Sequence, residues 1–578
     1  MSQFTIIDAE QAATVDREFR GALAEFTRGL SPLALGLATL DWIGHLSLSP
    51  GRRLQLTQSL LTKVGQVGSY SVLSLINREA RKPTDRIERR MSGEAWQKWP
   101  FKVMVQAHQL SKDWWCEAAM GVEGVRDEHE ILVHAVGDQI LDLLSPANGL
   151  VTNPEVIQMT IRERGKNLVR GLKLVIKDQL RDVANNGIEE NAAFVVGKDI
   201  AATEGKVVFQ NGLIELIQYS SQTEEVGAEP VLITPAWIMK YYILDLSPHN
   251  SLVKYLSEQG KTVFIISWKN PTREDSHVGF EDYLKNGQMA AIDAVNAICP
   301  KKKIHAVGYC IGGTLLSVAA ATMARNDDDR LQSISLFAAQ TDFTEAGEIR
   351  QFIGPSQLAF LEKLMWRKGY LSSENMGGAF SALHSSDLIH NEMVNRYYLG
   401  NESKPNDLMF WNSDGTRMPH RMHSEYLQKL YMENQLARNT FAIDGQPISL
   451  TDIRVPMFVL GTETDHVAPW KSVYKVLALT QCEVRFTLTS GGHNAGVISG
   501  PEHPRRRYRT HTRAVGDKYV APEAWIESSA VNQGSWWPSW SRWLDDHMSG
   551  KTAAPKIGAA RNKRYKAVRD APGEYVHG

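Results

Sequence analysis

The chain has 578 residues, with 64 Lys or Arg against 65 Asp or Glu, a formal net charge of −1. At roughly 100–200 residues per domain this length predicts two to four domains, and 43% apolar with 22% charged residues excludes a disordered or collagen-like chain. The charge balance argues against a nucleic-acid partner, whose binding draws on basic excess. Four cysteines without any CxxC spacing argue against a disulfide scaffold and against a zinc site, and no metal or cofactor is expected.

In chain order, the first twenty residues carry Asp8, Glu10, Asp16 and Glu18 and lack the layout of a secretory signal. Residues 30–48 are apolar but interrupted by Pro32, Asp41 and His45, too polar for a bilayer span. A cytoplasmic protein with no transmembrane segment is expected. Residues 1–200 are predicted to form a mostly helical N-terminal domain. Within it, 101–145 place apolar residues at three- and four-residue spacing. Ser145-Pro146-Ala147-Asn148-Gly149 ends that run, and Asn153-Pro154-Glu155 reads as a cap followed by Pro at the first helical position.

Near residue 205 the pattern changes. Residues 206–209 and 213–219 flank Gln210-Asn211-Gly212, a hairpin signal. Short apolar runs follow at 230–233, 262–268, 304–308, 334–338, 456–460 and 484–488, most with helix-like segments between them. Strands alternating with helices predict a mostly parallel sheet covered on both faces. With the leading hairpin this is the α/β-hydrolase layout, expected over 201–550. Residues 341–448 break the alternation and are predicted to form a lid or cap insert. The insert's aromatic residues, such as Tyr397, Tyr398, Phe410 and Trp411, are expected to form mostly its own small core. Residues 551–578 read as a basic, loosely docked C-terminal extension.

The sharpest motif is Gly308-Tyr309-Cys310-Ile311-Gly312-Gly313, after one predicted strand and before a predicted helix. This is the strand–turn–helix context of a nucleophile elbow, with Cys310 in place of Ser. The helix N-terminus favours a thiolate there, and the Ile311 N–H would form half of an oxyanion hole. The acid is expected after the strand at 455–460, where Asp465 precedes Val467-Ala468-Pro469; Glu463 and Asp342 are rivals. The base is expected at His493, on the Gly-rich turn Gly491-Gly492-His493-Asn494 after the last strand, with His466 and His503 as decoys among 17 histidines. The second oxyanion donor is sought in Thr234-Pro235-Ala236-Trp237-Ile238; Pro235 has no N–H, which leaves Trp237 or a neighbour.

These motifs together resemble the polyhydroxyalkanoate synthase family, class I type, over nearly the whole chain after about residue 85. The resemblance rests on the elbow at Cys310, on Lys240-Tyr241-Tyr242-Ile243-Leu244-Asp245-Leu246, and on Ser267-Trp268-Lys269-Asn270-Pro271. It continues in Asp407-Leu408-Met409-Phe410-Trp411-Asn412, Asp465-His466-Val467-Ala468-Pro469-Trp470 and Gly492-His493-Asn494-Ala495-Gly496-Val497. The chain departs from the family's usual wording at Pro235-Ala236-Trp237 and at Asp387-Leu388-Ile389-His390. By resemblance, Cys310, Asp465 and His493 form the triad, Cys310 carries a growing polyester, and the substrate is an (R)-3-hydroxyacyl-CoA. A homodimer, the polyester granule surface and granule-associated proteins are the partners it implies.

The residue chemistry fits this independently. Attack of a thiol on a thioester gives another thioester, so the acyl group stays activated for transfer to a hydroxyl. A Cys-dependent thioesterase or polyester depolymerase on the same fold is the alternative, and a granule-coating protein with an inactive site is a third reading. Pro504-Arg505-Arg506-Arg507-Tyr508-Arg509 is the densest basic run, a solvated face or a contact for coenzyme A phosphates.

Overall fold

The computed structural model describes residues 31–76, 87–185, 194–347, 353–376, 390–402, 406–559 and 561–578, with isolated positions outside these ranges. Asp8 and Glu10 of the acidic N-terminal segment, and Asp387, Leu388 and Ile389, lie outside the described residues. The N-terminal part is helical: α1 (Pro32–Ser47), α2 (Pro50–Ile76), α3 (Phe101–Ala119), α4 (Asp127–Leu143), α5 (Pro154–Arg162) and α6 (Lys166–Asn185). Local chemistry sets the starts. Asn153 Oδ1 accepts from the Glu155 and Val156 N–H groups with Pro154 at the first helical position, and Ser31 with Pro32 opens α1 the same way. Ala38, Ala119, Leu132 and Val133 form a small core among α1, α3 and α4, edged by Trp42 against Trp115. Over its 27 residues α2 buries only Leu56, Tyr70 and Ser74. Among the described residues no helix is long and apolar enough to cross a membrane.

The rest is built on one eleven-stranded sheet. Its strands are β1 (Gly205–Gln210), β2 (Ile214–Tyr219), β3 (Val231–Thr234), β4 (Val263–Trp268), β5 (Ile304–Tyr309) and β6 (Leu331–Phe337), then β7 (Met457–Thr462), β8 (Val484–Thr489), β9 (Arg507–Arg513), β10 (Val531–Gln533) and β11 (Arg569–Asp570). The spatial order is β10-β9-β8-β7-β6-β5-β3-β4-β2-β1-β11. From β4 to β8 the neighbours are parallel, while β1, β2, β9, β10 and β11 pair antiparallel. Strands buried on both faces need no polar alternation, which is why they read as continuous apolar runs. Asn211 closes the first hairpin, its Oδ1 accepting from the Leu213 and Ile214 N–H groups. Later helices include α7 (Ile311–Arg325), α8 (Pro355–Lys368), α9 (His420–Tyr426) and α10 (Trp537–Asp546). This is the α/β-hydrolase architecture, with the reversal of strand order between β3 and β5 where such sheets open a crevice at their carboxyl ends.

Two expectations need correction. The aromatic residues of 341–448 do not mainly make a core of their own. Trp411 is buried in the core on the sheet's face and donates from Nε1 to Lys240 O at 2.8 Å, and Phe410 packs edge-on against Phe194. Tyr397 belongs to a contact with α6, where Asp178 accepts from Arg396 Nε and Nη2, both at 2.7 Å, and from Tyr397 Oη at 3.1 Å. Nor is the C-terminal extension loosely docked. Residues 551–553 pair with 225–227, and β11 extends the sheet beyond β1. The buried Glu215 carboxylate explains the attachment: it accepts from Arg569 Nη1 and from the N–H groups of Glu574 and Tyr575. The basic run at 504–509 continues into β9, which the sequence reading missed because Arg507-Tyr508-Arg509-Thr510-His511-Thr512 carries no apolar alternation.

Candidate active site

At the end of β5 the chain turns through Cys310 at φ 54° and ψ −129°, a backbone state that costs a non-glycine residue energy. The turn is over-determined. Cys310 N–H donates to Phe337 O at 2.9 Å, and Cys310 O accepts from the Gly313 and Thr314 N–H groups at 2.9 and 3.3 Å. Space dictates the glycines: a Cβ on Gly312 would stand 2.3 Å from Thr234 O and 2.6 Å from Pro235 O. The elbow therefore lies directly against the loop that follows β3. Ile311 opens α7, and Trp237 sits buried in that loop, its carbonyl accepting from Thr416 Oγ1 at 2.6 Å.

Asp465 follows β7 and His493 follows β8. Asp465 Oδ2 accepts from His493 Nδ1 at 2.8 Å and from Thr462 Oγ1 at 2.7 Å. Its Oδ1 accepts from the Val467 and Ala468 N–H groups at 2.9 and 2.8 Å. With Nδ1 committed to Asp465, Nε2 of the ring is the atom left for Cys310, whose side chain lies close enough to His493 to raise the ring's pKa. The structure thus brings Cys310, His493 and Asp465 together. Burial works against an imidazolium at His493, but the Asp465 carboxylate and the Cys310 side chain outweigh it and hold the ring's pKa well above the ordinary histidine value. Burial likewise pushes the Asp465 carboxyl up, and His493, Ala468 and Thr462 outweigh it, leaving its pKa below the usual range. The rivals are engaged elsewhere: Glu463 with Arg507 Nη2 at 2.8 Å, and Asp342 with the Thr344 N–H at 2.8 Å and Thr344 Oγ1 at 2.5 Å.

Several neighbours were not singled out from the sequence. Tyr309, inside the elbow motif, stacks on the His493 ring at 5.6 Å and donates from Oη to Asn494 Oδ1 at 2.5 Å. Thr462 supports Asp465 from the end of β7. From the 341–448 segment, α9 runs into a π-helical stretch, Leu427–Met432, whose i→i+5 winding sets Tyr426 and Tyr431 on one face with their hydroxyls 3.4 Å apart. Both phenols lie near Cys310, and burial holds their pKa above the ordinary tyrosine value. One group of metal-ligating residue types stands elsewhere among the described residues, Glu88, His108 and Asp142. Lys112 and Arg90 already neutralise its carboxylates, with Lys112 Nζ 2.6 Å from Asp142, so it reads as an ion-pair network of the N-terminal helices.

A parallel sheet of this order with a Cys, His and Asp meeting at its carboxyl edge defines an α/β-hydrolase-fold protein with a thiol at the turn between β5 and α7. Family comparison agrees: residues 229–497 match the alpha/beta hydrolase fold, while 87–256 match the Poly-beta-hydroxybutyrate polymerase (PhaC) N-terminus and 10–52 the Poly-beta-hydroxybutyrate polymerase N-terminal family. The chain is 39% identical over 500 residues to the "Poly(3-hydroxyalkanoate) polymerase subunit PhaC" of Rhizobium etli, covering 86% of this chain and 77% of that one. It is 34% identical to the polymerase subunit of Rhizobium meliloti (94% and 89% covered) and 32% identical to that of Cupriavidus necator (94% and 91%). The chain belongs to the poly(3-hydroxyalkanoate) polymerase family.

Proposed function

We propose that this chain is an acyltransferase that polymerises (R)-3-hydroxyacyl-CoA thioesters into polyhydroxyalkanoate with release of coenzyme A, as a class I type enzyme. The observation that carries the reading is a thiol, not a hydroxyl, at the elbow beside His493 and Asp465, in a chain of this family. His493 Nε2 takes the Cys310 proton, and the sulfur attacks the thioester carbonyl. The N–H groups of Ile311 and of the Trp237 loop hold the resulting oxyanion. Collapse breaks the bond to coenzyme A, whose sulfur recovers the proton from His493. A hydroxyl of a second 3-hydroxyacyl unit, deprotonated by His493, then attacks the Cys310 thioester. That step forms the ester bond and frees the thiol, which then takes the extended acyl group from its coenzyme A thioester by the same exchange, releasing coenzyme A and returning the chain to Cys310.

Residues 341–448 act as the lid of the 201–550 catalytic domain, with Tyr426 and Tyr431 near Cys310 helping to exclude water that would hydrolyse the intermediate. Residues 1–200 form the helical N-terminal domain, and 551–578 a basic extension docked on the sheet edge. Exposed Leu54, Leu61, Val64, Val72, Leu75 and Ile76 of α2 support self-association as a homodimer and contact with the polyester granule in the cytoplasm, directly or through granule-associated proteins. Incubating the purified protein with 3-hydroxybutyryl-CoA tests the activity. An insoluble polyester formed in step with coenzyme A release is expected; free 3-hydroxy acid in the same amount would make it a thioesterase instead.

A further inference from the structure

The loop that carries His493 leaves β8 and runs through residues 490–496, and one side chain reaches across it. Arg506 donates from Nη1 to Ser490 O at 3.1 Å and from Nη2 to Ala495 O at 2.6 Å. These carbonyls stand three residues before and two residues after His493, so a single planar guanidinium ties the two ends of the loop together. Gly491 packs closely on the guanidinium: it has φ +110°, and a Cβ there would sit 2.5 Å from Arg506 Nη1. Separate contacts complete the support. The Thr464 N–H donates to Gly491 O at 3.1 Å, joining this loop to the one bearing Asp465. Trp536 Nε1 and Trp537 Nε1 donate to Gly496 O and Val497 O at 3.1 and 2.9 Å.

Neither of the two loop acceptors is a carboxylate, and Arg506 Nε is buried with no hydrogen-bond partner among the described residues. Desolvating a guanidinium for two backbone carbonyls is costly. A solvated charge run does not account for it; the loop it holds does. The rigid fork matters, because a Lys ammonium on a flexible stem cannot hold two carbonyls at a fixed separation. Tyr309 stacks against the His493 ring. Asp465 fixes the ring's tilt, whereas the loop ends fix where its Cα stands.

We propose that Arg506 is a positioning residue for the reaction: through Ser490 O and Ala495 O it holds the His493 loop so that the imidazole meets Asp465 and Cys310 at once. This rests on the reading of His493 as the base. Misplacing a catalytic group by about 1 Å costs on the order of 100-fold in rate, so Arg506→Gln should lower kcat about 10- to 100-fold with little change in KM. Arg506→Lys should recover only a small part of that loss.

The deciding readout is the pH dependence of Cys310 alkylation by iodoacetamide, measured on folded protein beside His493→Gln. The proposal expects the Arg506→Gln profile to move most of the way from the wild-type curve toward that of His493→Gln. Wild-type kinetics and profile in Arg506→Gln, with His493→Gln strongly altered, would overturn the role of Arg506 and leave the base reading standing. A His493→Gln profile equal to wild type would overturn the base reading itself, and this inference with it. A raised KM with unchanged kcat and profile would make Arg506 a contact for the coenzyme A phosphates and overturn positioning. Where Arg506→Gln does not fold, Arg506→Lys decides on the same readouts; failure of both to fold would assign Arg506 to overall stability and overturn the proposal.

Discussion

Replacing Asp465 by Asn removes a charge and an acceptor with almost no change in side-chain volume. The structure dictates how the amide would sit. Oδ1 accepts from the Val467 and Ala468 N–H groups, so the variant's carbonyl oxygen stays there and its NH2 turns to the place of Oδ2. That place faces Thr462 Oγ1 and His493 Nδ1. A hydroxyl can rotate to accept. The imidazole must change tautomer, with Nδ1 accepting and the proton on Nε2, where it can no longer take a proton from Cys310 or from a substrate hydroxyl. At 2.8 Å and an effective dielectric near 20, the lost attraction between carboxylate and imidazolium is about 6 kcal/mol before desolvation. At about 1.4 kcal/mol per decade this caps the loss at about four decades. The two half-reactions should not share it equally. A thiol still reaches its thiolate by exchange with water, whereas a hydroxyl does not, so acylation of Cys310 should fall about 10- to 100-fold and elongation about 1,000-fold or more. Rapid-quench single-turnover release of coenzyme A, set against steady-state release, separates the two. An equal fall in both would show that Asp465 only orients His493 for every step; no fall in either would place the acid elsewhere and refute the argument.

Further outcomes follow from other parts of the molecule. Burial, reinforced by the nearby charges of His547 and Lys261, lowers the His305 pKa to about 3; burial lowers that of His423 to about 4, with His420 adding to it. Both ionise near 6.5 when unfolded, so the unfolded chain binds more protons below that pH, and stability should be lost as pH falls from 6.5 toward these values. At pH 5 each costs about 2 kcal/mol, and urea midpoints for wild type and His305→Gln at pH 7.5 and 5 should show the variant with the weaker pH dependence. Arg396→Ala removes the paired bonds to Asp178, which should cost about 1 kcal/mol and raise hydrogen exchange over residues 391–402; unchanged exchange there would mean that α6 does not hold this segment. Sedimentation should give a dimer mass for the active enzyme, and a monomer at full activity would refute self-association.

How much of this was legible in the sequence differs from element to element. The central parallel strands announced themselves because burial on both faces leaves continuous apolar runs, and Asn211 marked its hairpin through turn chemistry. The arrangement of Cys310, Asp465 and His493 was legible because glycine spacing around a turn is a local steric requirement. β9 was not legible, since this half-buried strand, paired with β8 and β10 near the edge of the sheet, carries no apolar alternation and its arginines read as a charge run. Arg506 drew attention as charge, but its contacts with Ser490 O and Ala495 O depend on how β9 returns beside β8, a tertiary fact. The docking of the C-terminal extension was hidden for the same reason: the attraction of Arg569 to Glu215 spans more than 350 positions of chain. Tyr309 could have been noticed from its position inside the elbow motif, directly before Cys310.

The claim on which the account depends is that Cys310 holds the acyl chain. Acid quenching during turnover of radiolabelled 3-hydroxybutyryl-CoA, followed by proteolysis and mass spectrometry at low pH, tests it directly. The account predicts oligo-3-hydroxybutyryl adducts on the peptide containing Cys310 and no labelled protein in Cys310→Ala. Adducts on Cys116, Cys299 or Cys482, or polymer formed by Cys310→Ala, would contradict it.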